Sequence, residues 1–220
     1  MLIRNIPLKR GSNVAAANIS DNHEIKQALD GLEISHPKKA IVLVGGAGGI
    51  GWLDRFSMQK AIRIVAKLAE KVDAVVVDGG TQAGIMDEIG KQRKRNKFSF
   101  PLIGVVFDAL IMKEEPKSIL DANHTHFFLI PGNDWGDESA WIAKIATAIT
   151  EGEKSITVLI NGGNISQQDV QYSMLEKRPV FIMRGTGRLA NEITLTQNVT
   201  AVDISEKSGK IQEYLEMQLS

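Results

Sequence analysis

The chain has 220 residues, with 26 Lys+Arg against 26 Asp+Glu and a formal net charge of zero, which excludes a general attraction to nucleic acid or to an anionic membrane and leaves such partners only a local patch. The absence of cysteine excludes disulfides, thiolate zinc sites, iron–sulfur clusters and a cysteine nucleophile. A composition 43% hydrophobic and 24% charged is that of a globular protein able to bury a core without staples.

Met1–Lys9 has neither the apolar stretch nor the small-residue cleavage site of a signal peptide. The longest apolar runs, such as Ala40–Val44 and Phe127–Ile130, fall far below the roughly 20 residues of a membrane span, so a cytoplasmic location without membrane insertion is expected. Residues 1–38 read as an irregular N-terminal extension in which Asn22–Leu32 forms a short helix. From there, short β-branched runs predict strands buried on both faces at Ala40–Val44, Ala74–Val77, Leu102–Phe107, Phe127–Ile130, Ile156–Ile160 and Val180–Met183. Helical spacing lies between them. Met58, Ala61, Ile62, Val65, Leu68 and Ala69 make one apolar stripe, and Ile142, Ile145, Ala146 and Ile149 make another after Ser139. A C-terminal helix over 205–220 carries Ile211, Tyr214, Leu215 and Leu219 on one side. This alternation predicts a single α/β domain over 1–220, with a mainly parallel sheet of about six or seven strands and helices on both faces.

Nearly every predicted strand runs into glycine. The turns are Gly45-Gly46-Ala47-Gly48-Gly49-Ile50-Gly51, Asp78-Gly79-Gly80-Thr81-Gln82, Gly132-Asn133-Asp134-Trp135-Gly136-Asp137, Asn161-Gly162-Gly163-Asn164 and Arg184-Gly185-Thr186-Gly187-Arg188. In a parallel sheet these C-terminal ends share one edge, where open α/β sheets bind ligands. Glycine lets backbone N–H groups approach an anion, and the next helix N-terminus adds unpaired donors and a favourable dipole. Several such loops on one rim describe an elongated, phosphate-bearing ligand. Gly46-x-Gly48-x-x-Gly51 also has the form of a dinucleotide fingerprint, but Asp78 lies 27 residues beyond Gly51, against about 20 for the ribose-binding acid of that pattern. The residue four beyond Tyr172 is Glu176, not the lysine of a short-chain dehydrogenase. Hydride transfer is therefore unsupported.

The turns Asp78-Gly79-Gly80-Thr81-Gln82-Ala83-Gly84-Ile85-Met86, Gly132-Asn133-Asp134-Trp135-Gly136-Asp137-Glu138-Ser139 and Ile160-Asn161-Gly162-Gly163 resemble the SLOG superfamily. Within it they are most similar to the LSDAT group, prokaryotic relatives of the N-terminal cytosolic domain of melastatin-type TRP channels. The resemblance covers Ala40 to Ile193 and implies a Rossmann-like fold and binding of nucleotide-derived ligands such as ADP-ribose. The Lonely Guy phosphoribohydrolases are a more distant branch whose PGG-x-GT-x-x-E loop carries a catalytic acid. On that pattern Asn161-Gly162-Gly163-Asn164-Ile165-Ser166-Gln167-Gln168-Asp169 keeps the paired glycines, puts Ser166 for threonine and Asp169 for the glutamate, and loses the proline and third glycine. Ile165 in place of that glycine should obstruct a phosphate, and the shorter acid should misplace an acid–base group.

Each candidate has a structural alternative. Asp169 is the candidate catalytic acid, yet Ser166-x-x-Asp169 has the form of a capping box, the reading favoured here. Asp134, Asp137 and Glu138 could hold Mg2+ between phosphates or select a ribose hydroxyl. Alternatively Asp137, Glu138 and Ser139 complement and cap a helix N-terminus. Trp135, like Trp52, could stack on a base or cover the core edge. His124 and His126 alternate onto one side before a strand, but no third metal ligand is near, so no metal site is assigned, and solvated loop histidines or one tied to a neighbour is the better reading. Lys91, Arg93, Lys94, Arg95 and Lys97 read as an exposed helix end. Arg184 and Arg188 bracket a Gly-Thr-Gly turn, where they could bind phosphate or pair with Glu192 or a rim acid. The expected function is binding or sensing of a nucleotide-derived ligand without strong catalysis. A nucleoside-monophosphate N-glycosidase comes second and an NAD(P)-dependent oxidoreductase third. A homo-oligomer and an effector on a separate chain are the expected partners.

Overall fold

The computed structural model describes residues 1–8, 12–46, 52–110 and 120–220, with the side chains of Trp52 and Leu53 outside the description. The strands are β1 (Leu2–Pro7), β2 (Asn13–Asn18), β3 (Ala40–Gly45), β4 (Val75–Asp78), β5 (Leu102–Phe107), β6 (His126–Ile130), β7 (Ser155–Ile160), β8 (Val180–Arg184) and β9 (Val199–Asp203), the six apolar runs forming β3 to β8. The helices are α1 (Ile25–Gly31), α2 (Trp52–Lys71), α3 (Gly84–Asn96), α4 (Ser139–Thr150), α5 (Asn164–Leu175), α6 (Leu189–Glu192) and α7 (Ser208–Gln218).

Among the described residues the sheet has nine strands in the order β1-β2-β6-β5-β4-β3-β7-β8-β9. Every neighbouring pair is parallel except β1 with β2. The side-chain period of two then sorts the central strands between two cores. Ile41 and Leu43 of β3 face the cluster with α2, α3 and α7, whereas Val42 and Val44 face the one with α1, α4 and α5. The fold is a single Rossmann-like α/β domain with both faces covered, as the strand–helix alternation predicts.

The strand count exceeds the expected six or seven, because β1, β2 and β9 lie in stretches that gave no strand signal. Residues 1–38 are not an appendage. Ala15–Asn18 of β2 pair with His126–Leu129 of β6, and α1 packs on α4.

Candidate functional site

The chain leaves β3 toward β4 on one side, and after β6 returns to lay β7 on the other side of β3. The strand order therefore reverses between β3 and β7, and open α/β sheets bind ligands outside the C-terminal strand ends at such a point. A cleft of about 430 Å³ opens there, walled by Gly45, Gly46, Gly79, Thr81, Met86, Trp135, Glu138, Gly163, Asn164, Ile165, Ser166, Asp169 and Arg188, among others.

At one end lies the Arg188 guanidinium. A β-carbon on Gly163 would stand 2.7 Å from Arg188 Nη2, and one on Gly46 would stand 3.4 Å from Nη1. Glycine at both positions thus makes room for the arginine across the switch point. Its loop is fixed from β7. Fully buried Asn161 gives its side-chain N–H to Thr186 O at 2.8 Å, its backbone N–H goes to Thr186 Oγ1 at 2.9 Å, and its carbonyl accepts Ala190 N–H at 2.8 Å. Beside Arg188, α5 begins at Asn164 with Gly163 as an N-cap that supplies no side-chain acceptor. The first N–H groups of such a helix are unpaired donors with the positive end of the dipole behind them.

The other end is acidic. Asp169 belongs to the first half of α5, and burial pushes its carboxyl up to about 7, with the Glu138 charge adding to the shift and Ser139 opposing it. Burial likewise raises Glu138, whose Oε2 accepts the Gly136 N–H at 3.0 Å. The capping-box reading of Ser166 and Asp169 is corrected. Helix α5 starts two residues before Ser166, so Ser166 is buried inside the first turn and Asp169 turns inward on the cleft wall. The helix-capping reading of Glu138 is corrected too, since it makes no side-chain cap on α4.

Several expected contacts lie elsewhere. Asp78 is fully buried, with Oδ1 accepting Gly80 N–H at 2.7 Å and facing His124 Nε2 at 2.8 Å, while His124 Nδ1 faces Asp121 Oδ2 at 2.9 Å. A ring between two carboxylates donates from both nitrogens as imidazolium. Burial opposes that charge, but Asp78 and Asp121 together raise the ring to about 9. His124 is thus tied to carboxylates and not to His126. Gly80, at φ +63°, packs on Gly104 and Phe127, and Gln82 is exposed. Asp137 closes its own turn, accepting Asn133 N–H at 2.8 Å and Asp134 N–H at 3.1 Å, which holds its carboxyl below the usual range. Gly132 packs against that carboxylate, and Asn133 and Asp134 are off the cleft wall. Arg184 turns away to donate to Ile193 O at 2.7 Å, and Gly185 N–H goes to Asn191 Oδ1 at 2.8 Å. Gly187, at φ +92°, packs against Asp54. Trp135 lines the cleft and sits edge-on to Phe107 at 5.4 Å. Gly48, Gly49 and Gly51 lie outside the described residues.

A parallel sheet with a cleft at its switch point defines a Rossmann-like ligand-binding architecture. The family described as "SLOG in TRPM, prokaryote" (LSDAT) matches residues 38–218, and the chain belongs to it. Curated relatives are a TRP cation channel subfamily M member-like 2 of Nematostella vectensis, 23% identical over 74% of this chain, and the subfamily M member 2 of Rattus norvegicus, 22% identical over 80%. The chain spans only 13% and 14% of their lengths. Among solved structures, the structural-genomics target TM1055 shares the fold at TM-score 0.56 and 18% identity, covering 80% of this chain and 99% of the other. A molybdenum cofactor binding protein of Rippkaea orientalis does so at TM-score 0.51 and 12% identity, covering 84% and 88%. Among the described residues no helix is long and apolar enough to cross a membrane.

Proposed function

We propose that the chain binds a nucleotide-derived, phosphate-bearing ligand of the ADP-ribose or nucleoside monophosphate kind in the switch-point cleft, as a ligand-binding or sensing module whose effector is a separate chain. The observation that carries this reading is the Arg188 guanidinium laid over Gly46 and Gly163 beside the uncapped start of α5. A guanidinium and unpaired helix N–H groups together suit a phosphate. The oxidoreductase reading loses ground, because the Asp78 carboxylate that would take a ribose is engaged by His124.

A second reading, N-glycoside hydrolysis, is favoured by Asp169. A carboxyl holding its proton to about pH 7 is suited to protonate a leaving base. Calorimetry with ADP-ribose, ADP, AMP and adenosine tests binding. The phosphorylated ligands should bind at least about ten-fold tighter than adenosine, and Arg188→Gln should remove most of that difference, as expected for a lost charged hydrogen bond. Adenosine binding as tightly as the phosphorylated ligands would refute the anion site. Incubation with AMP should release no base above background; multiple turnovers abolished by Asp169→Asn would make the chain a hydrolase.

A further inference from the structure

Part of the cleft wall is apolar and does nothing for a phosphate. Among the described residues that part comes from Leu43, Met86, Trp135, Ile142 and Ile165. Leu43, Met86 and Ile142 are buried, whereas Trp135 is 40% exposed. Its backbone is nevertheless held on both sides. Asp137 Oδ2 accepts the Asn133 and Asp134 N–H groups before it, and Glu138 Oε2 accepts the Gly136 N–H after it at 3.0 Å. The indole itself meets the buried Phe107 ring at an interplanar angle of 79°. A contact of that kind covers at most one face of the indole and leaves the other for a flat partner.

The strand order sets the distance between this ring and the guanidinium. Phe107 ends β5, Gly79 follows β4, and Gly46 and Gly163 follow β3 and β7, in the spatial order β5-β4-β3-β7. Neighbouring strands lie about 4.8 Å apart, so the seat of the indole and the seat of Arg188 are separated by roughly 12 Å. A ribose joining a phosphate to a base bridges a gap of that order. Between the two seats lies Met86, whose Sδ would stand 3.7 Å from a β-carbon on Gly79, and a polarisable thioether suits an aromatic ring. Glu138 and Asp169 share the wall with Trp135. Carboxyl groups there disfavour a second anion at this end and can accept the N–H groups of a base edge.

We propose that Trp135, flanked by Met86 and Ile142, is a stacking subsite for the base of the ligand, so that the chain takes a nucleotide and not a bare sugar phosphate. The assignment rests on the phosphate-ligand reading above and adds a second anchor to it. Asp137 and Glu138 then serve the site by fixing the turn that carries the indole.

Calorimetry with AMP and ribose 5-phosphate tests it on the wild type, Trp135→Ala and Trp135→Phe, with circular dichroism confirming that each variant folds. The wild type should bind AMP about ten-fold tighter than ribose 5-phosphate, the value of one base stacked on an aromatic side chain. Trp135→Ala should reduce that preference to less than about two-fold, and Trp135→Phe, which keeps a ring, should retain most of it. AMP should also quench the indole fluorescence of the wild type, and Trp135→Phe should lose that quench while Trp52 and Trp141 remain. Equal affinity of the wild type for AMP and ribose 5-phosphate would remove the base subsite and leave the phosphate reading standing. So would an undiminished preference in folded Trp135→Ala. An unquenched wild type at saturating AMP would do the same even if the alanine variant failed to fold. If the wild type bound neither compound, the phosphate reading would fall and the subsite with it.

Discussion

Asp169 is a destabilising residue by its placement. Its folded carboxyl titrates near 7 against an ordinary value of 3.8, so the folded state holds a proton that the unfolded state releases. Folding stability therefore falls as pH rises from about 4 through 7, and above 7 the full penalty applies, on the order of 2–4 kcal/mol. Asparagine has the same shape without the charge. Asp169→Asn should melt higher than the wild type at pH 8 and equally at pH 4, the pattern of a residue kept for function at the expense of stability. A lower melting point at pH 8 would show a structural carboxylate whose partners compensate it. At this scale the sequence was partly legible. Asp169 and Arg188 stood out by motif position and by a glycine-flanked turn. Glu138 stood in the sequence only as one of three rim acids with a competing helix-dipole role, and its burial on the cleft wall is what sets it apart from Asp134 and Asp137. Asp78 misled for the opposite reason: its buried partner His124 is 46 residues away in sequence, beyond any local pattern.

At the scale of elements, the turn from β7 into α5 separates two adjacent glycines by role. Gly162 has φ +93°, and a β-carbon there would stand 3.0 Å from both Leu159 Cδ1 and Ser166 Cβ, on the protein side. Gly163 has an extended backbone at φ −153°, which any residue adopts, and its β-carbon would meet only the mobile end of Arg188. Gly162→Ala should cost roughly 2–4 kcal/mol of stability from left-handed strain and overpacking. Gly163→Ala should change stability by less than about 1 kcal/mol yet weaken AMP binding several-fold by displacing the guanidinium. Thermal melts and calorimetry on the two variants would read this; equal destabilisation, or intact AMP affinity in Gly163→Ala, would contradict it. The six strands predicted from apolar runs all appear, since burial on both faces leaves a continuous signal. The three that escaped have weaker patterns. β2 reads Asn-Val-Ala-Ala-Ala-Asn, poor in β-branched residues, and β1 and β9 are edge strands with several residues partly or fully exposed.

Over the whole molecule, one topological fact organises the site. Parallel pairing from β2 to β9 sets all the strand-end turns on one rim, which was legible from the glycines. The reversal between β3 and β7 then selects which of those turns meet. Strand order is set by long-range pairing, so the sequence showed five candidate loops without ranking them. The described fold brings Gly46 and Gly163 to Arg188, places Gly79, Thr81 and Trp135 on the neighbouring walls, and leaves Arg184, Asp134 and Asp137 aside. The central claim is that a phosphate occupies the Arg188 end of this cleft. A crystal structure of the protein with saturating AMP tests it most directly. The account predicts phosphate oxygens within hydrogen-bond reach of the Arg188 guanidinium and of the first backbone N–H groups of α5. Nucleotide density confined to the groove beside Tyr172 and Leu175, or a cleft still empty at saturation, would contradict it.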